Sequence, residues 1–435
     1  MNYDWEKINA AGNYPLEKVA KTAGKYKSWL DILPLKSQNW FIDFEKIEMK
    51  FPLWVHAMKN CPQEPDYHAE GDVWTHTKMV MEAMVNSKEY QSLKPEEQEI
   101  LFFCALMHDI GKPFVTTLDE DTGRITSKGH SARGAKDARI TLFLANAPVD
   151  IREKIANIIS VHQMPFVWIK NANVFQIRET SQFVPMHLLY VMALSDGKGR
   201  ITKPETEKNI ILEKVELFKA EAEIQDCLYR PWSYEFENLH AQRLYWEEMG
   251  QVVENRPVHW NKKSDVIMLA GMPASGKDTW CERFAKDKPV ISLDSIREEL
   301  GVKYSGNKGY AIQVMTKRAK ELLGKSEDFV WNATHLSESQ RNKTLRLLRT
   351  YGATVRIVYL ENDLDILLQR NLKRDTTLSN ERVIDLMYKW EPPRPTEAHE
   401  VLWWIDNKPL YMEHITTKED PDSPWNFKST KNYKI

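Results

Sequence analysis

The sequence predicts two domains of different class in one chain, an all-α domain followed by an α/β domain built on a parallel sheet. Three observations carry this reading. Between residues 70 and 220, apolar side chains recur near every 3.6 residues. From Asp265 onward, short β-like runs alternate with amphipathic stretches. The length, 435 residues, exceeds one ordinary domain of roughly 100–200 residues.

The helical part divides into Val73–Asn86, Pro95–Asp109, His130–Asn146, Ile151–His162, Val184–Ser195 and Thr206–Ile224. Turn-rich strings such as LDEDTGRITSKG and KNANVF separate them. In the second part the candidate strands are VIMLAG, PVISL, DFVWNAT, TVRIVYL and HEVLWWI, with helices beginning near Gly276, Lys308, Ser337 and Leu364. Proline-bearing polar strings, YRPWSYEFEN and NRPVHWNKKSD, mark the junction. The expected division is residues 1–64 without a readable role, a helical domain over 65–224, a connector over 225–263, an α/β domain over 264–407 and a tail over 408–435.

Composition narrows the class. Hydrophobic residues make up 42% and charged residues 28%, which excludes a disordered or collagen-like chain. No run approaches the ~20 apolar residues that cross a bilayer, and MNYDWEKINAAG lacks the apolar core of a signal peptide. The four cysteines are far apart with no CxxC, against a disulfide framework or a thiolate metal site. A cytoplasmic protein with no membrane partner is the expectation. The net charge of −2 conceals 29 basic against 25 acidic residues over 261–435, balanced by an acidic excess before it. Neither part is a polybasic track, so any nucleic acid must be held locally, at an end.

In the helical part the strings GDVWTHT, LMHDIGKP, KGHSARGA, ISVHQMP and ALSDGKGR bring His76, His108, Asp109, His130, His162 and Asp196 to notice. A lone histidine is more often a core or surface residue, but imidazoles and carboxylates together are the ligand set of a divalent metal. An adjacent His–Asp pair at a helix end, closed by Gly111 and Pro113, projects two ligands from a rigid support. Asp109 could bridge metals, and His130 and His162 could serve a second metal or the phosphate. Lys112 is a candidate catalytic group and Arg133 a candidate phosphate contact, with His68 and Asp72 as supporting groups. These strings resemble the HD-domain phosphohydrolases over about residues 65–200. That resemblance implies a helical fold and a divalent transition metal held by His76, His108, Asp109 and Asp196.

After VIMLA comes Gly271-Met-Pro-Ala-Ser275-Gly276-Lys277-Asp278-Thr279, opening a helix. Such a turn presents backbone N–H groups to a polyphosphate, and its lysine meets the β- and γ-phosphates. ATP and Mg²⁺ are therefore the expected ligands. Asp278 stands where the pattern usually has the Mg²⁺-binding Ser or Thr. In PVISLDSIREEL, Asp294 could accept a proton from an attacking hydroxyl, and Arg297 could orient the acceptor's phosphate. Arg370 and Arg374, four apart in LLQRNLKR, resemble a lid that neutralises charge on a transferred phosphoryl group. With WNATHLS and Thr334, these residues resemble a 5′-OH polynucleotide kinase over about 264–400. Asn332 and Ala333 precede Thr334 where an acid is common, which puts weight on Asp278 in the Mg²⁺ shell.

The two resemblances in one chain look like the bacterial HD-Pnk family. That family implies removal of a 2′,3′-cyclic, 2′- or 3′-phosphate from RNA 3′ ends and phosphorylation of 5′-OH ends. The implied partners are RNA ends, with DNA ends not distinguished, and an RNA ligase acting downstream. The competing readings are a small-nucleotide phosphohydrolase fused to a small-molecule kinase, and an ATP-driven nucleotide sensor.

Overall fold

The computed structural model describes residues 14–250, 258–259, 261–301, 308–373, 378–410 and 414. The chain divides into two compact units, Met1–Trp232 and Ser233–Ile435.

Among the described residues the first unit is helical apart from a two-residue antiparallel pairing of Thr117–Leu118 with Ile125–Thr126 and a single bridge between Pro62 and Asp72. Its main helices are α1 (Val73–Val85), α2 (Pro95–Met107), α3 (Lys112–Val115), α4 (His130–Leu144), α5 (Val149–Val161), α6 (Met186–Lys198) and α7 (Thr206–Ile224). Local chemistry sets the starts. Asp72 accepts a hydrogen bond from Thr75 N at 2.9 Å ahead of α1. Pro95 opens α2, where Glu97 reaches back to Lys94 N at 3.1 Å. Every residue of α2 from Ile100 to Met107 is buried, so this helix is the centre of the bundle rather than an amphipathic face. α1 and α6 pack against it.

Two helices differ from the periodicity reading at limits that bear on the site. α2 stops at Met107, leaving His108 and Asp109 in the turn beyond it. α6 starts at Met186 because Pro185 cannot continue the ladder and disfavours a helical Val184, and it runs on past Asp196 to Lys198. Residues before 65, which carry no readable motif, supply Trp29, Phe51 and Trp54 to this unit's core. The last two stack with ring centroids 5.0 Å apart.

The second unit is a six-stranded sheet in the order β2-β3-β1-β4-β5-β6. After a helix over Leu239–Glu247, its elements are β1 (Asp265–Ala270), α8 (Lys277–Phe284), β2 (Val290–Ser292), α9 (Leu293–Glu299), α10 (Lys308–Gly324), β3 (Phe329–Asn332), α11 (Glu338–Thr350), β4 (Thr354–Glu361), α12 (Leu364–Leu372), α13 (Asn380–Met387), β5 (Glu400–Ile405) and β6 (Lys408–Leu410). The five strands read from the sequence are parallel. β6 is the addition: Asp406 and Asn407, with φ of 48° and 64°, turn the chain back antiparallel onto β5. β1 lies between β3 and β4, so the chain order reverses there and opens a crevice at the strands' C-terminal ends.

Candidate metal centre and phosphate pocket

Six predicted ligands of the first unit converge from five elements. His76 comes from α1, the His108–Asp109 pair from the end of α2, His130 from the start of α4, His162 from the end of α5 and Asp196 from α6. They form two sets whose ligand atoms lie within 4.8 Å of one another, His76–His108–Asp196 and Asp109–His130–His162. Asp109 joins them. Its Oδ2 lies 3.1 Å from His108 Nε2 and 3.9 Å from His76 Nε2, while Oδ1 lies 3.4 Å from His130 Nε2 and 3.8 Å from His162 Nε2.

The rings are held in one orientation. The Nδ1–H groups of His108, His130 and His162 donate to the carbonyls of Ala105, Ser127 and Ile159 at 2.7–2.8 Å. A ring that donates at Nδ1 turns Nε2 toward the cluster, the nitrogen a metal would take once that atom carries no proton. Burial pushes the His162 imidazole down to about 3, with His130 and His108 adding to the effect, so the ring stays neutral. Burial alone would raise the Asp109 carboxyl, but the His108 imidazole and Lys112 ammonium outweigh it and hold it well below the usual range.

A divalent cation fits these residues. His108 Nε2 and Asp109 Oδ1 are buried polar atoms with no hydrogen-bond partner, a costly state that a cation between them would relieve. Glu70, Asp109 and Asp196 bring three carboxylates to the cluster, and Lys112 and Arg200 bring two cations to it.

Several supporting groups surround the cluster. Lys112 Nζ sits 2.7 Å from Asp109 Oδ2 and donates to Gln63 Oε1 at 2.6 Å. Arg133 shares its Nε–H between the two Asp137 carboxylate oxygens, at 3.0 and 2.8 Å, with its guanidinium over the Phe114 ring. His68 contacts Glu70 Oε1 at 2.8 Å, and Asp72 is the α1 cap. Sequence reasoning missed Glu70, whose Oε1 lies 2.9 Å from His76 Nδ1, and Arg200, which forks onto Asp196 at 3.0 and 2.7 Å. The Arg200 signal was present, because positions four apart on a helical path share a face. Glu70 lies in a turn and offered none.

In the second unit a cavity of about 450 Å³ opens at the C-terminal ends of the strands. Gly276, Lys277, Asp278, Thr279, Asp294, Arg297, Thr334 and Arg370, all read from the sequence, line it. Gly271, at φ +143°, donates its N–H to Thr334 O at 2.8 Å, and a Cβ there would strike Leu360 O. Lys277 Nζ donates to Gly271 O at 3.1 Å and Met272 O at 2.8 Å. Asn362 donates to Ser275 O at 2.9 Å, pinning the loop to the end of β4. Arg370 Nη1 reaches the α-carbon side of Gly276, 3.5 Å from where a Cβ would stand. Arg297 Nη1 lies 3.3 Å from Asp294 Oδ1. Arg374 lies outside the described residues; α12 ends at Leu372. Asn332 and Asn407 also line the cavity and were not singled out as ligands.

Residues 73–218 match a family model described as the HD domain, and residues 266–393 match one described as an AAA domain. Among curated proteins, the L-seryl-tRNA(Sec) kinase of Methanococcus maripaludis is 24% identical over 135 residues, 29% of this chain and 53% of that protein. The CC-adding tRNA nucleotidyltransferase of Thermus thermophilus is 36% identical over 70 residues, 16% of each chain. The chain thus spans about half of the first relative's length and far less of the second's. A solved gluconokinase from Sinorhizobium meliloti 1021 shares 17% identity, covering 32% of this chain and 82% of that one, with a TM-score of 0.25. No helix among the described residues is long and apolar enough to cross a membrane. The chain carries a helical HD domain followed by a P-loop kinase-like domain with a mostly parallel sheet.

Proposed function

We propose that this chain is a bifunctional nucleic-acid end-healing enzyme. Its helical domain, over 65–224, removes a 2′,3′-cyclic, 2′- or 3′-phosphate at RNA 3′ ends. Its P-loop domain, over 264–407, uses ATP to phosphorylate 5′-OH ends. The observation that carries the kinase half is the lining of one cavity by Lys277, Asp294, Arg297 and Arg370. A kinase needs, besides the phosphate loop, a carboxylate to take the hydroxyl's proton and cationic groups to meet the transferred phosphoryl, and these four residues face one space.

The roles follow from position. Lys277 leaves its carbonyl partners for the β- and γ-phosphates of ATP. Asp294, exposed in the cavity wall, takes the proton of the attacking hydroxyl. Arg297 orients the acceptor's phosphate, and Arg370 beside Gly276 meets charge that develops on the transferred group. Thr334, which also lines the cavity, contacts the substrate in this reading. Arg374 joins the lid in this reading. In the first unit, Asp109, His76, His108, Asp196, His130 and His162 hold divalent transition metal, which supplies Lewis acidity and an activated water when bound. Lys112 holds the Asp109 carboxylate and meets the substrate phosphate in this reading, with Arg133 as a second phosphate contact.

The two curated relatives named above have tRNA in their names, which favours an RNA substrate. Ligation needs a 3′-OH and a 5′-phosphate, so the pair of activities prepares ends for an RNA ligase in the cytoplasm. The test is transfer of γ-labelled phosphate from ATP to a 5′-OH oligonucleotide, with release of phosphate from a 3′-phosphate RNA after adding Mn²⁺, Ni²⁺ or Co²⁺. DNA and RNA oligonucleotides are run side by side. Label that enters free nucleosides or sugars but never an oligonucleotide end would replace this reading with a small-molecule kinase.

A further inference from the structure

The phosphate site departs from the common P-loop pattern twice, at Asp278 and at Asn332, and the fold brings the two departures together. Asp278 is the second residue of α8 and Asn332 the last residue of β3. Asn332 Nδ2 donates to Asp278 Oδ1 at 2.7 Å, and both residues line the cavity beside Lys277. In the usual arrangement a Ser or Thr hydroxyl stands on the helix and an acid on the strand, and both attend the nucleotide's Mg²⁺. Here the helix carries the carboxylate and the strand end carries a neutral amide. The inventory is conserved, one negative oxygen donor and one neutral donor, with the places exchanged.

We infer that Asp278 and Asn332 together form the protein's share of the Mg²⁺ shell, with Asp278 supplying the charge from the helix. This rests on the P-loop kinase reading above. Mg²⁺ takes oxygen ligands, keeps several waters and is commonly held through one or two carboxylates plus substrate phosphates. A carboxylate has about four lone-pair sites, so the bond from Asn332 leaves Asp278 able to bind a cation, and Asn332 keeps its own carbonyl oxygen. The amide also explains why the strand has no acid. A second carboxylate at hydrogen-bond distance from Asp278 would repel it, whereas the Asn332 N–H₂ group holds Asp278 in place. Asp278 lies in the first turn of α8, where a negative charge is favoured by the exposed N–H groups of the helix.

The pairing predicts a sign reversal that a merely structural hydrogen bond does not. Without Mg²⁺, the Asp278 carboxylate faces a tetra-anionic nucleotide and opposes its binding. With Mg²⁺, it supports binding. The experiment measures the affinity of the full chain for a fluorescent ATP analogue, with and without Mg²⁺, in the unaltered protein, in Asp278→Ser and in the exchanged variant Asp278→Ser/Asn332→Asp. In Asp278→Ser the metal-free affinity should be equal or tighter, which also reports an intact site. The Mg²⁺ concentration for half-maximal enhancement should rise at least about tenfold. The exchanged variant, with the acid returned to the strand, should recover to within a few-fold of the unaltered chain. An unchanged Mg²⁺ midpoint in Asp278→Ser overturns the inference, and an exchanged variant as weak as Asp278→Ser overturns the pairing. Failure of the unaltered chain to bind nucleotide under any condition removes the kinase reading itself, and this inference with it.

Discussion

Asp109 faces both candidate ligand sets, Oδ2 toward His76, His108 and Lys112 and Oδ1 toward His130 and His162. Its replacement by Asn keeps the shape and removes the charge. Asp109→Asn should lose more than about 100-fold in phosphate release from RNA 3′ ends while 5′ phosphorylation stays within twofold, because the two activities are assigned to separate units. Asp294→Asn should show the converse, a drop of roughly 10²–10⁴ in 5′ phosphate transfer at saturating ATP with phosphate release unchanged. Paired assays on both variants check this; loss of both activities in either folded variant contradicts the assignment. Glu70 is a positioning residue, placed between His68 Nδ1 and His76 Nδ1, and its Oε2 accepts from Ile201 N at 3.0 Å. Glu70→Gln should weaken transition-metal binding by about 10–100-fold, read by equilibrium dialysis, with little change in folding.

Among the elements, the β-sheet of the second unit carries two buried neutral histidines. His399 Nδ1 accepts from Val355 N at 3.1 Å beside β4, and His335 Nδ1 donates to Leu269 O at 2.7 Å beside β1. Burial, reinforced by Arg243 and other neighbouring cations, pushes His399 down to about 3; burial and the charges of Arg341 and Lys277 push His335 down to about 4. The unfolded chain protonates both near 6.5, so below that pH it binds more protons than the folded unit. Stability conferred by the neutral rings is present above 6.5 and lost as pH falls toward the folded values. Each unit of depression corresponds to about 1.4 kcal/mol. Denaturant melts followed at Trp fluorescence should move to lower midpoints between pH 7 and 4.5, and His399→Gln should flatten that slope. An unchanged slope in the variant would assign the acid sensitivity elsewhere.

For the whole molecule, metal removal should separate the two activities. After treatment with a chelator and return of Mg²⁺ alone, phosphate release from 3′ ends should fall to background while ATP-dependent labelling of 5′ ends persists. The metal-bound first unit should also melt higher than the stripped one. A hundredfold excess of metal over its dissociation constant contributes about 2.7 kcal/mol, which calorimetry detects. Loss of kinase activity under the same treatment, with Mg²⁺ present, would contradict the separation.

What the sequence determined by itself is what short-range physics controls. The 3.6 period marked α1, α4, α5 and α7 to within a few residues. Five β-rich runs gave the parallel strands, and the glycines of the phosphate loop located the turn after β1. The metal candidates were legible because histidine and aspartate recur in short strings that ordinary helix packing does not require. The tertiary structure decided what depends on residues far apart in the chain. It joined Asp109 to His130 and His162 as one set, and it placed Glu70 against His76. It seated Trp29 and Trp54 in the core of the first unit although their segment carries no motif. It brought Asn332 to Asp278 across 54 residues of sequence. Periodicity reports which face of an element is apolar, but a pairing between side chains is set by how those faces pack, and that information is distributed over the whole core.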